Sequence, residues 1–562
     1  MIGTRHMVAA GHYLATQAAF QILEAGGNAV DAGVAGGIAL AVVQSEYVGF
    51  AGVAPIMIHH AESGRTITIS GLGTWPAATD VDLFVREHGG RIPKGVLRSV
   101  VPAAPDAWIT ALELYGTMSF GECAVAAHRF ASEGFAVPSL MAEIIADHAD
   151  EYAVYPGNAA IYLPGGKPPK AGDILRQTDL GNAIAYMIDE EKAAATKGRE
   201  TGLKAARDAF YRGDIARRIA EHQREEGGWL SEDDLSGFRV EVEDARSVGF
   251  GGAEVFYCGP WCQGPLLGQT LAMLDGTDLR GLGHNSTRYI HHLTEVLKLA
   301  YADRHALYGD PNFNDVPIDR LMSPDYARKR AALADPERAH PGLPVPGIGA
   351  HWDPVVTSRE DMPRDPGELD TSYVCVIDRA GNVFSATPSD GSAGAPVVPG
   401  LGFVVSGRGV QAFTEPDAPA RVGPGRRPRL TPNPAIARSV RDGWTMPIGS
   451  PGNDVQPQAM LQVFLNVHVF GMSPQDAVDA PRFATFSYPR SSSPHPYSPG
   501  LLQVEERVGS EVIEALEDLG HRVRAWSDWH FTSGGVCTIL RDRQGRLEGA
   551  SDLRRPTSVA GW

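Results

Sequence analysis

The sequence predicts an α/β protein in which sheets are covered by helices, and three observations carry that expectation. The first third alternates helix-spaced apolar runs with Gly/Pro loops. A segment dense in Pro, Gly and Asp, 335–366, follows without periodicity. The chain beyond it opens on a β-branched and aromatic run, 371–377. Helices outside layered sheets are compatible with that order, although periodicity alone does not select the arrangement.

Residues 15–25 place apolar groups at helical spacing and stop at Gly26-Gly27. Asn28 precedes a run of small residues, 29–43, interrupted by Asp31 and three glycines. It is too short to span a bilayer and reads as a buried helix. Residues 54–60 and 66–70 read as two short strands around Glu62-Ser63-Gly64. Amphipathic helices are expected between 103 and 198, and another over 289–304. After the linker, 371–377 and 383–387 form one hairpin, and 536–540 with 546–550 form another near the end.

Composition excludes several functions. With 67 acidic and 50 basic residues the net charge is −17, which repels nucleic acid and anionic membranes. The five cysteines show no repeated spacing, so a disulfide framework is not expected and a reducing, cytoplasmic compartment is. The start of the chain has no continuous apolar targeting segment. Cys258 and Cys262 make a C-x3-C without a second pair, and His291, His292 and Glu295 show no further ligand in sequence. No metal and no cofactor are expected. Phosphate-loop, HExxH and G-x-S-x-G patterns are absent from the sequence.

What remains is Asp370-Thr371-Ser372-Tyr373. A threonine opening a strand is ordinarily just a good β-former. Here it is followed by GPGRRPRLTPNPAI (423–436), PIGSPGNDVQPQ (447–458), DAPRF (479–483) and GASDLRRP (549–556). Upstream lie YGTMSF (115–120), FYRGDIA (210–216), LSEDDL (230–235) and KLAYADR (298–304). In this order the segments resemble the γ-glutamyltranspeptidase family, across essentially the whole chain.

The resemblance implies a four-layer αββα Ntn-hydrolase sandwich, made as one precursor. It implies a cut between Asp370 and Thr371, leaving a large subunit, 1–370, and a small one, 371–562, with a homo-oligomer left open. The chemistry has its own logic. A threonine hydroxyl is a weak nucleophile, and cutting the chain supplies an α-amine, with an ordinary pKa of about 7.7–8.0, as its base. By position, Ser389 matches a hydroxyl residue that hydrogen-bonds the nucleophile. Gly452 and Asn453 match a glycine pair that stabilises the oxyanion through backbone N–H groups.

The departures concern substrate. The family's arginine for a γ-glutamyl α-carboxylate has no counterpart in 71–78, and no Asp or Glu occurs in 406–413, where an acidic pair holds the α-amino group. The family's serine pair corresponds to Leu430-Thr431, with one hydroxyl, Thr431, left for substrate. Arg408 is a candidate to receive a substrate carboxylate through a bidentate fork. The expected activity is hydrolysis of a small amide lacking a free α-amino group, through an acyl-enzyme, with water or an amine as acceptor. The alternatives are γ-glutamyl transfer or glutathione hydrolysis with rebuilt contacts, and an uncut relative that only binds.

Overall fold

A computed structural model describes residues 1–352 and 370–562. Part of the expected linker, 353–366, lies outside the described residues. Two seven-stranded antiparallel sheets form the centre. One runs Ser558–Gly561, Met7–Ala10, Val374–Ile377, Val383–Ala386, Ile56–His59, Thr66–Ile69 and Val242–Asp244. The other runs Ile2–Gly3, Leu547–Ala550, Cys537–Arg541, Trp444–Gly449, Ala435–Ser439, Ala253–Tyr257 and Arg246–Phe250. Each sheet therefore mixes strands from both sides of residue 370.

Period-two side chains explain why the strands stack in layers. Val8, Ala10, Val374, Val376, Phe384 and Ala386 face an outer helical layer. Their neighbours Met7, Ala9, Cys375, Ile377 and Val383 face Ile436, Cys537 and Ile539 of the second sheet. The second sheet turns Val255, Tyr257, Met446 and Ile448 to its own helices. Ser385 ties the sheets together: its hydroxyl meets the Tyr373 hydroxyl at 2.7 Å and the Ala435 carbonyl at 3.2 Å.

The first helical layer is centred on Ala29–Val43, buried along its whole length. Asn28 Oδ1 accepts from the N–H groups of Val30 and Asp31, while Asp31 Oδ2 accepts from Asn28 N–H at 2.9 Å, a reciprocal cap. Small residues let this helix approach its neighbours. A Cβ at Gly33 would lie 2.1 Å from the Phe384 ring, and one at Gly37 would lie 2.5 Å from Trp108. Overpacking of that kind costs about 1–3 kcal/mol. On the opposite side Gly264–Leu274, Thr287–Leu307 and Gln456–His468 form the second helical layer. The order is helix, sheet, sheet, helix, as expected. No helix among the described residues is long and apolar enough to cross a membrane.

Candidate active site

Thr371 and Ser389 lie at the ends of adjacent segments of the first sheet and pair across them as an antiparallel bridge. Sheet pairing thereby brings two hydroxyls eighteen residues apart to an Oγ1–Oγ separation of 2.8 Å. Gln456, the first residue of Gln456–His468, comes from the second sheet's side. With its amide nitrogen toward the carbonyls of Thr431 and Ser450, at 3.1 and 3.3 Å, its oxygen accepts from Thr371 Oγ1 at 3.1 Å.

The bond preceding Thr371 is gripped from two directions. On one side, the Asp370 carbonyl oxygen accepts from the Ser389 hydroxyl and from Arg408 Nη2, the latter at 2.9 Å. Arg408 Nη2 also contacts Ser389 Oγ, and Arg408 Nε faces Asp390 Oδ1 at 3.2 Å. Asp390 Oδ2 accepts from Ser406 Oγ at 2.5 Å. Burial pushes the Asp390 carboxyl above its usual range, against the pull of Arg408 and Ser406. Asp390 also takes φ 98, a conformation that costs a non-glycine residue strain. The whole group is buried.

On the other side lies the Asp370 carboxylate. Its Oδ1 accepts from Gly452 N–H and from Thr371 N–H, each at 2.9 Å, and its Oδ2 pairs with Arg555 Nη1 at 2.7 Å. Gly452 and Asn453 both take positive φ, 114 and 50, which glycine and asparagine tolerate best. Gln263 braces this loop by donating to the carbonyls of Thr431 and Asn453, each at 2.8 Å. Arg304 in turn donates to Gln263 Oε1 and pairs with Asp454. Burial alone would raise the Asp454 carboxyl, but Arg304 and Ser491 outweigh it and hold it below the usual range. A cavity of about 450 Å³ opens over this side, with Asp370, Gly452, Asn453 and Arg555 in its wall.

Five sequence-selected residues thus converge: Asp370, Thr371, Ser389, Gly452 and Asn453. The other two adjoin this group but are turned away from the cavity. Arg408 is fully buried against the Asp370 carbonyl, and Thr431 is held by Gln411, whose amide donates to Thr431 Oγ1 at 2.9 Å. Neither belongs to the cavity wall. The sequence reading missed Gln456 and Arg555. Both lie inside motifs already singled out, PIGSPGNDVQPQ and GASDLRRP, but nothing local assigns them a partner.

The histidine pair gains a neighbour that sequence spacing hides. His291, Glu295 and His521 converge within 4.8 Å. Hydrogen bonding accounts for His291 and Glu295: His291 Nε2 is 2.7 Å from the Asp335 carbonyl, Nδ1 is 2.8 Å from His521 Nε2, and Glu295 takes Lys298 Nζ at 2.7 Å. A proton donated by His291 Nε2 to that carbonyl leaves Nδ1 to accept from His521, so neither nitrogen offers a lone pair outward. Cys258 and Cys262 are buried free thiols.

The gamma-glutamyltranspeptidase family model matches residues 15–562, nearly the whole chain. The chain belongs to that family. Among its relatives is the acylase ACY 1 proenzyme of Pseudomonas sp. (strain V22), 32% identical over 100% of this chain and 94% of that protein. The glutathione hydrolase-like YwrD proenzyme of Bacillus subtilis (strain 168) is 30% identical over 100% and 99%. The solved structure of LmbA2991HD superposes with a TM-score of 0.92 at 33% identity, covering 100% of this chain and 99% of that one. As a member of the gamma-glutamyltranspeptidase family, the protein is an enzyme, an amidohydrolase whose precursor is cleaved into two subunits.

Proposed function

We propose that Thr371 is the nucleophile, first against its own preceding bond and then against an external amide. The observation that carries this reading is the double grip on Asp370. Thr371 Oγ1 lies between Ser389 and Gln456, while Ser389 and Arg408 polarise the adjoining carbonyl. In the first reaction Thr371 Oγ1 adds to the Asp370 carbonyl carbon, and negative charge develops on an oxygen that already faces two donors. The C–N bond breaks, the hydroxyl proton ends on the nitrogen, and an ester joins Asp370 to Thr371 Oγ1. Water cleaves that ester, leaving a carboxylate on Asp370 and a free amine on Thr371.

In the second reaction the new α-amine takes the Thr371 hydroxyl proton as Oγ1 adds to a substrate amide. The backbone N–H groups of Gly452 and Asn453 hold the oxyanion, Gln263 and Arg304 fix their loop, and the acyl group passes to water or an amine. Arg408 belongs to the first reaction: its place on the Asp370 carbonyl supports a role in self-cleavage rather than in binding a substrate carboxylate. The buried free cysteines support a reducing, cytoplasmic setting.

The preferred substrate is a small amide without an α-amino group. The supporting observation is that Asp390, the acid beside the 406–413 segment, is buried and engaged by Ser406 and Arg408. One observation favours the γ-glutamyl alternative: Glu143 and Asp147 stand at the cavity wall, exposed, where an amino group could meet them. Comparing kcat/KM for a γ-glutamyl anilide and the matching glutaryl anilide decides between the two. The expected outcome is a preference for the glutaryl compound by roughly ten- to a hundredfold, the worth of the one charged contact in which the two compounds differ. A preference for the glutamyl compound would return the enzyme to the transpeptidase reading.

A further inference from the structure

Arg555 is an unusual residue to find beside an oxyanion site. Its side chain is 4% exposed, yet it lines the cavity. Its guanidinium lies 5.3 Å from the centre of the Tyr47 ring and 5.6 Å from that of Phe531, and its Nε donates to the Phe531 carbonyl at 3.3 Å. Gly535 backs the stem so closely that a Cβ there would come within 2.9 Å of Arg555 Cγ and Cδ. Aromatic walls, a carbonyl and a bare backbone fix the group in place, and such pre-organisation suits recognition of a carboxylate.

In the precursor its partner is the Asp370 carboxylate, which also occupies Gly452 N–H. One carboxylate therefore spans the oxyanion donor and Arg555 at once. Turnover requires Gly452 N–H to be vacated, since a substrate oxygen must replace Asp370 Oδ1 there. That same departure uncovers Arg555, whose charge is kept at a cost: burial works against it, and Asp370 does most to hold it up, with Asp552 adding to it. An acyl group that brings its own carboxylate restores the pair.

We propose that Arg555 is a specificity-determining residue for an acyl group carrying a second carboxylate close to the scissile carbonyl. The substrates are monoamides of short dicarboxylic acids, from oxalyl to succinyl. The proposal rests on the amidohydrolase reading and names its substrate class. Distance sets the upper length: because a single carboxylate bridges both contacts, each added methylene must fold back or displace a guanidinium held on three sides. Arg490 and Arg524 also line the cavity, as do Glu143 and Asp147, which lie exposed, so the proposal stands on Arg555 and its partner rather than on the net charge of the wall.

The test uses the two-subunit enzyme. Anilides of oxalic, malonic, succinic and glutaric acid are compared with butyryl anilide, the neutral counterpart of the succinyl compound. The succinyl compound should exceed the butyryl one in kcat/KM by roughly ten- to a hundredfold, the range of one charged hydrogen bond, and glutaryl should fall below succinyl. Arg555→Lys, which keeps the charge that Asp370 meets during processing, should retain a reduced preference, and Arg555→Gln should abolish it. Calorimetry with free succinate and butyrate reads the same site without turnover. Equal affinity for the two acids, or a preference for butyryl anilide, overturns the proposal. Tight succinate binding without hydrolysis of any anilide sustains the anion site and overturns the amidohydrolase reading instead.

Discussion

The two sides of Asp370 differ in burial and access, and the proposed mechanism assigns one to maturation and the other to turnover. Its carbonyl faces a sealed, fully buried group made by Ser389, Arg408, Asp390 and Ser406, with no wall on the cavity. Its carboxylate faces Gly452 and Arg555 at the edge of a cavity large enough for a small ligand. A reaction performed once needs no access, so its oxyanion donors are shut away. A reaction performed repeatedly needs an entrance, and its donors lie at one. In the proposed mechanism the same threonine hydroxyl serves both, held between Ser389 and Gln456.

Substitutions can break this division. The largest effect is expected for Thr371→Ala. It should run as one band of about 60 kDa with no activity, whereas the parent protein gives bands of roughly 40 and 20 kDa on a denaturing gel. A parent protein that is active while uncut would end the proposed mechanism. Arg408→Gln comes next: conversion of precursor to subunits, followed over time on gels, should slow by about two to three powers of ten, the usual loss for an oxyanion donor. Conversion at the parental rate would remove Arg408 from the self-cleavage step.

Smaller effects sharpen the same contrast. Ser389→Ala should slow turnover far less than Thr371→Ala, since one supporting hydrogen bond is worth about 0.5–1.5 kcal/mol. Complete inactivity in cleaved Ser389→Ala protein would contradict that division of roles. Asp370→Asn alters only the carboxylate side, so processing should slow by no more than about tenfold. A block as deep as that of Arg408→Gln would show that both grips are needed for the cut.

The smallest effect concerns stability. Burial pushes the Glu46 carboxyl up to about 8 from an ordinary 4.5, beside Arg555 and Asp370. The folded state then holds a proton that the unfolded chain has lost, so this group lowers stability progressively as pH rises from about 4.5 to about 8. In a Thr371→Ala background, Glu46→Gln should flatten the pH dependence of the urea midpoint across that window and gain up to a few kcal/mol at pH 9. An unchanged pH profile would mean that Glu46 ionises normally.

Much of the fold was legible because strand signals are local. The expected strand at 66–70 appears as Thr66–Ile69, the helix at 289–304 as Thr287–Leu307, and the final hairpin as Cys537–Arg541 with Leu547–Ala550. The run 371–377 is regular only over Val374–Ile377, because Thr371 leaves the ladder to bridge Ser389. Ser389 was matched to Thr371 through the family resemblance, and the structure shows the hairpin register, Val374 opposite Ala386, that brings the two together. Arg555 could not: it meets Asp370 from 185 positions away, across a strand order that no local pattern encodes. Arg408 was visible as a charge, but its direction, toward the Asp370 carbonyl, depends on Asp390 and Ser406 folding around it.

The interleaving of strands has a consequence after the cut. Met7–Ala10 lies between Ser558–Gly561 and Val374–Ile377, so the two fragments share every hydrogen-bonded row at that place. Neither fragment can leave without dismantling both sheets, and the nicked molecule should melt as one unit. Return from the melted state is another matter. Before cleavage, reassembly is a first-order event with the two parts tethered; afterwards it is an encounter between separate chains, slower with every dilution. Cutting the bond turns a foldable polymer into an object whose recovery depends on concentration, so its persistence rests on slow unfolding rather than on renewal.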